Sequence, residues 1–168
     1  MAAIGNGIKS IEVVEIKKGD DTQVILGHAG FIKTVVDLYE AMVGSVPGIK
    51  FGLAFAEASG ACLIRIEGTD ETLKLEAERN LMRICAGHSF IILFKNAFPI
   101  NIINELKNVQ EVVHIYCATA NPVQVIVART DQGSSILGVV DGFSPKGIEK
   151  EEDVQKRLNL LRELGYKR

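Results

Sequence analysis

Proline is scarce in this chain, at four in 168 residues, and cysteine is scarcer, at three. So few prolines, with no repeat and no low-complexity tract, exclude a Pro-rich linker. The cysteines Cys62, Cys85 and Cys117 are odd in number and form no CxxC pair. Each stands among apolar neighbours, so the expectation is three buried free thiols in a reducing cytoplasm. No apolar stretch approaches the ~20 residues that span a bilayer. The N-terminus lacks the charged-then-apolar layout of a secretory signal. The net charge is only −2, with both signs spread along the chain. That leaves no electrostatic footprint for nucleic acid. Membrane and nucleic acid are therefore not among the expected partners.

The usual catalytic signatures are missing too. There is no GxxxxGK[ST] loop, no HExxH, no GxSxG and no kinase HRD or DFG set. Gly5-Asn6-Gly7 lacks a preceding strand and a third glycine, so it is no dinucleotide fingerprint. The histidines, His28, His88 and His114, are far apart and show no zinc spacing, so no metal ligand set is predicted.

What is present is a core. Apolar residues make up 47% of the chain, enough for one globular domain over residues 1–168. The unbroken run Phe90 to Phe94 reads as a central strand buried on both faces. His88 stands at its front, and Lys95-Asn96 and Pro99 follow its back. Residues 1–10 read as a loose arm. Strands are predicted over 11–17 and 22–26, joined as a hairpin by Gly19-Asp20-Asp21. Phe31, Val35, Leu38 and Met42 mark the buried stripe of a helix ending near Gly44. A second hairpin spans 51–56 and 61–66. The next helix takes Thr69 as N-cap and stops at Gly87. A short helix over 100–107 follows Pro99. Strands over 112–118, 123–128 and 136–140 precede a charged helix over 151–164. Hairpins mixed with helical crossovers give an α/β protein with a mixed β-sheet covered by helices.

Four clusters carry the candidate chemistry. His88 is a usable nucleophile or base near neutral pH, or a structural histidine at a strand entrance. In Asp141 to Gly147, Gly142 frees the backbone while Ser144 and Lys146 reach for an anion. The alternative is an ordinary surface turn. Asn96 and Asn101 offer the donor and acceptor that suit a purine or ribose, or they cap the helix at Pro99. Glu57-Ala-Ser59-Gly60 holds a phosphate or Mg²⁺, or simply closes a hairpin. His28, in a Gly-flanked loop, and His114, inside an apolar strand, read as lesser candidates.

The runs Phe31-Ile-Lys-Thr-Val-Val-Asp-Leu-Tyr-Glu-Ala, Phe51-Gly-Leu-Ala-Phe-Ala-Glu-Ala-Ser-Gly, Ala86-Gly-His-Ser-Phe, Lys95-Asn-Ala-Phe-Pro-Ile-Asn, Tyr116-Cys-Ala-Thr-Ala-Asn-Pro-Val and Gly138-Val-Val-Asp-Gly-Phe-Ser-Pro-Lys-Gly resemble the adenosine-specific kinase family. The resemblance covers roughly residues 8 to 165 and rests on the combination of runs. It implies a three-layer αβα sandwich assembled as a homotrimer or hexamer. It implies binding of adenine nucleotides, notably AMP; the general needs of phosphoryl transfer add ATP and Mg²⁺, the ion held by Asp141 or Glu57. It also implies a histidine that carries a phosphoryl group, matched here to His88. Asn121, within one of these runs, joins the expected nucleotide contacts. The implied activity is a phosphotransferase working through phosphohistidine. The alternative is a non-catalytic sensor of AMP. One straight strand from His88 to Asn96 would separate the two by about 26 Å at ~3.3 Å per residue. Both cannot line one pocket of one subunit.

Overall fold

In a computed structural model, residues 7–168 are described. Most of the expected arm, residues 1–6, lies outside them. The elements run β1 (Ser10–Glu15), β2 (Gln23–Ala29), α1 (Thr34–Ser45), β3 (Lys50–Ala56), β4 (Ile64–Gly68), α2 (Glu71–Ile84), β5 (Ser89–Lys95), α3 (Ile103–Asn108), β6 (Val112–Thr119), β7 (Val123–Arg129), β8 (Ser134–Asp141) and α4 (Glu151–Glu163). A 3-10 turn at Pro99–Asn101 leads into α3.

The strands form two sheets. One has five strands in the order β4-β3-β5-β2-β6, the other three in the order β1-β7-β8. β5 lies in the middle of the larger sheet, and Phe90, Ile91, Ile92, Leu93 and Phe94 are fully buried. That is the central strand its apolar run requires. Side chains of alternate residues separate two cores. Ile25, Phe51, Phe55, Phe90 and Phe94 pack with Leu38 and Met42 of α1 and Leu106 of α3 on one face. Leu26, Ile91 and Leu93 pack with Leu73, Ala77 and Leu81 of α2 on the other face. Val125, Val127 and Ile136 of the smaller sheet share that second core. The layers are therefore α1 with α3, the five-stranded sheet, and α2 beside the small sheet.

The α/β class and the helix cover hold, but every strand pairing is antiparallel. β2 and β3, joined by the α1 crossover, do point the same way. β5 inserts between them and runs against both, so no parallel neighbours arise among the described residues. The first expected hairpin is also corrected. β1 pairs with β7 in the small sheet, whereas β2 pairs with β5 and β6. The Gly19-Asp20-Asp21 turn thus carries the chain between sheets. The β3–β4 hairpin stands as expected.

Two helix ends differ from the sequence reading. Asp70, not Thr69, caps α2, accepting from the Leu73 amide at 3.1 Å. Thr69 instead donates to the Ile49 carbonyl at 2.6 Å and accepts from the Phe51 amide, which ties the helix start to β3. The C-terminal left-handed residue is Cys85, with φ 55°, not Gly87. Among the described residues no helix is long and apolar enough to cross a membrane.

Candidate functional site

The 85–88 turn delivers His88 from the end of α2 to the front of β5. Its backbone is tied on both sides. The His88 amide donates to the Ala56 carbonyl at 2.7 Å, and the Ala29 amide donates to the His88 carbonyl at 2.9 Å. Those bonds hold His88 at φ 59°. A side chain in the left-handed region costs on the order of 1–3 kcal/mol and persists only where the surroundings impose it. The ring stacks near-parallel on Phe55.

Glu57 follows directly on β3, and its carboxylate organises the hairpin loop. Oε1 accepts from the Ala58 amide at 2.9 Å and from the Ser59 hydroxyl at 3.2 Å. His88 Nε2 stands 3.5 Å from the same oxygen, and Arg65 Nη2 stands 2.9 Å from Oε2. The Ala58 amide, the Ser59 hydroxyl and the Arg65 charge together hold the Glu57 carboxyl below its usual range. Arg65 also donates to the Ile32 carbonyl at 2.9 Å, so it joins the 57–65 hairpin to the turn before α1.

A cleft of about 710 Å³ opens here, within the range of small-molecule sites. His88, Glu57, Ser59 and Arg65 supply its polar lining, and Gly30, Phe31 and Ile32 line it beside them. Arg65 is the one cation lining it among the described residues. A Cβ on Gly30 would stand 3.0 Å from His88 Nδ1, so glycine there leaves that nitrogen open. Phe31, Ile32 and Leu63 are 59%, 69% and 66% exposed. Phe31 was expected on the buried stripe of α1. The helix begins at Thr34 instead, with the Thr34 hydroxyl donating to the Phe31 carbonyl. That leaves Phe31 in the preceding turn, on the cleft rim.

The three histidines, remote in sequence, meet. His28 pairs with Ser89 across β2–β5 and with His114 across β2–β6. The His28 and His114 rings stack at 5.7 Å and 3°. His28 meets His88 edge-on at 6.1 Å, and His114 meets Tyr116 edge-on at 4.3 Å. Burial, then the neighbouring His114 and His88, lower the His28 pKa from the ordinary imidazole value. Among the described residues no group of three His, Cys, Asp or Glu is arranged to hold a metal ion. Glu57 Oε1 carries the Ala58, Ser59 and His88 contacts and Oε2 carries Arg65, so a Mg²⁺ ion at this carboxylate would compete with Arg65.

The other expected site residues gather at the far end of the sheet. Asn96, exposed at φ 63°, follows Lys95, which pairs with Asp21 at 2.9 Å. Asn101 accepts from the Phe98 amide at 2.8 Å, the capping role. Asn121 donates to Asp141 Oδ1 at 3.0 Å, and Gly142, at φ 69°, lies against the Asn121 side chain. Ser144 and Lys146 are exposed on the segment beyond β8. Eight steps from His88 to Asn96 span about 26 Å, so the two ends share no pocket within one chain. Of the expected site residues, this cleft brings together His88, Glu57 and Ser59. Arg65 and the rim residues were not among those expected, their signal being only an arginine amid the apolar hairpin strand Ala61 to Ile66.

The cysteine expectation holds for one residue in three. Cys117 is buried, while Cys62 and Cys85 are exposed. Burial pushes the Cys117 thiol up to about 11. Since the thiolate is the reactive form, a thiol reagent at neutral pH is expected to label two cysteines in the folded protein. The third should label only after unfolding. Counting labels by intact mass tests this, and three rapid labels would contradict it.

A family model described as adenosine specific kinase matches residues 14–167. The crystal structure of the PH1918 protein from Pyrococcus horikoshii OT3 is similar over 95% of this chain and 98% of that one. The two share 46% identity at a TM-score of 0.91. The search of curated proteins gives no match.

Proposed function

The chain belongs to the adenosine-specific kinase family, and from that premise we propose that it binds adenine nucleotides in the His88 cleft and passes a phosphoryl group from ATP to adenosine through His88. One observation carries this reading: an imidazole aligned by a carboxylate at the wall of an open cleft, with an arginine paired to the same carboxylate beside it. With Nε2 turned to Glu57, the ring's lone pair falls on Nδ1, the nitrogen that Gly30 leaves open. Nδ1 attacks the γ-phosphorus of ATP, the P–N bond forms, and the P–O bond to ADP breaks. The 5′-hydroxyl of adenosine then attacks that phosphorus, the P–N bond breaks, and the hydroxyl proton ends on the imidazole. Splitting the transfer this way makes two easier steps of one hard one. Arg65 neutralises phosphate charge. Phe31, Ile32 and Leu63 offer apolar surface to the base. Magnesium enters with ATP in this reading, and no carboxylate of this chain is assigned to it.

Arg65→Met is expected to weaken AMP binding by about ten- to a hundredfold, the usual loss for a hydrogen bond to a charged group. Titration calorimetry with AMP reads this directly, and unchanged affinity would remove Arg65 from the site.

We also assign the protein to a homotrimer or hexamer in which a neighbouring subunit completes the cleft with Ser144 and Lys146. Exposed apolar residues support this: Ile11, Val13 and Leu137 on the small sheet, and Phe143 and Ile148 beyond it at 86% and 95% exposure. A surface of that kind marks an association site. Co-expressed His88→Asn and Lys146→Ala subunits, each inactive alone, are expected to regain turnover together. No recovery would place Lys146 outside the site. Three free thiols, two of them exposed, fit the reducing cytoplasm to which we assign the chain.

A further inference from the structure

Behind the 86–89 turn lies a second, smaller cavity of about 140 Å³. His28, Ser89, Tyr116, Ser134 and Ser135 line it, together with Gly87. None of its lining residues is acidic. Gly87 and Ser89 flank His88 in the chain, so the cavity backs directly onto the proposed nucleophile. Its hydroxyls are largely unspent. Ser89 donates to the Ala86 carbonyl, and Ser134 accepts from Arg129 Nη1 at 2.9 Å, which leaves its own proton free to donate. Among the lining side chains only His28 can acquire positive charge near neutral pH.

We propose that this cavity is an oxyanion subsite, with His28 as its chargeable wall and His114 as the ring that tunes the charging of His28. This builds on the His88 reading but is tested without it. A charge on His28 stands close against the stacked His114 ring, 5.7 Å away centroid to centroid. Burial, then the neighbouring His114 and His88, disfavours the charged form of His28 in the empty protein. An anion in the cavity reverses that preference and draws a proton in. The other groups around His28 do not supply the charge. Tyr116 stays a neutral phenol, its pKa raised by burial. Glu57 lies beyond His88 and is paired with Arg65. Glu111, just before β6, is paired with Lys33. Arg129 reaches the cavity only through Ser134.

The sign follows from linkage. The protonated site binds the anion better, so affinity falls as pH rises above the His28 midpoint of the free protein. Sulfate is the probe, because its own charge is constant over this range. Calorimetry is expected to show sulfate affinity falling about tenfold between pH ~5.5 and pH ~7.5. His28→Gln should bind about tenfold more weakly at the lower pH. Tyr116→Phe, which keeps the ring and removes one donor, should lose a smaller factor and serves if His28→Gln fails to fold. Equal sulfate affinity in His28→Gln and wild type, or a flat pH profile, would overturn the subsite. Saturating AMP distinguishes the sources of the anion. If it displaces sulfate, the cavity holds the nucleotide's phosphate, and if sulfate still binds, the cavity takes a free oxyanion.

Discussion

Replacing His88 by asparagine is expected to remove all acid-labile phosphate from protein incubated with ATP and magnesium. Asparagine is the informative substitution because it tolerates the left-handed backbone that His88 occupies at φ 59°. It therefore keeps the 85–88 turn while deleting the ring nitrogens. His88→Ala should give the same loss of label, with added destabilisation from that backbone conformation. Gly30→Ala is the companion test for the nitrogen involved. Its Cβ would stand 3.0 Å from Nδ1 and leave Nε2 and Glu57 untouched. Labelling should fall steeply while AMP still binds. Retained label in His88→Asn would move the phosphoryl acceptor to another residue. Intact mass with and without mild acid makes the measurement.

The second large effect is on stability. Gly52→Ala is expected to cost about 3 kcal/mol or more, at the upper end for overpacking. A Cβ on Gly52 would stand 2.1 Å from the Leu73 carbonyl carbon and 2.2 Å from the Lys74 amide nitrogen. Those atoms are helix backbone and cannot rotate away. Gly52 pairs with Gly68 across β3–β4, and a Cβ at Gly68 would meet the Phe51 carbonyl oxygen at 2.3 Å. The first turn of α2 thus lies on bare backbone of both strands. For a chain of this size such a loss lowers Tm by about 10 °C. Gly44→Ala is the control, since it lies in α1 with nothing within 4 Å of the added atom. It should stabilise by about 0.5–1 kcal/mol. A Gly52→Ala protein as stable as wild type would refute the close approach. The consequence reaches the site, because α2 carries the 85–88 turn and any shift of the helix displaces His88.

Element types were legible wherever periodicity was strong. The run Phe90 to Phe94 marked β5, and the 3.6-residue spacing of Leu73, Ala77 and Leu81 marked α2. Strand partners were not legible. Gly19-Asp20-Asp21 carries an ordinary turn signal whether the chain folds back on itself or crosses to another sheet. What decides is that Val14 and Ile16 join the core beneath α2, a long-range fact. Likewise nothing in the spacing of His28, His88 and His114 shows that β2 lies between β5 and β6. That strand order alone makes three remote histidines neighbours. Phe31 misled for a local reason: it continues the helical stripe on paper, but the helix starts at Thr34, whose hydroxyl bonds the Phe31 backbone in the turn before it. Arg65 was invisible because one arginine in a hairpin strand reads as surface charge until Glu57 and Ile32 are seen beside it.

The most direct test of the central claim is the intact mass of the wild-type protein at neutral to mildly alkaline pH, before and after incubation with ATP and magnesium. The result expected is a gain of one phosphate that mild acid removes and that added adenosine discharges as AMP. An unchanged mass, with AMP still binding tightly, would contradict phosphoryl transfer through His88. The cleft would then be that of a nucleotide sensor.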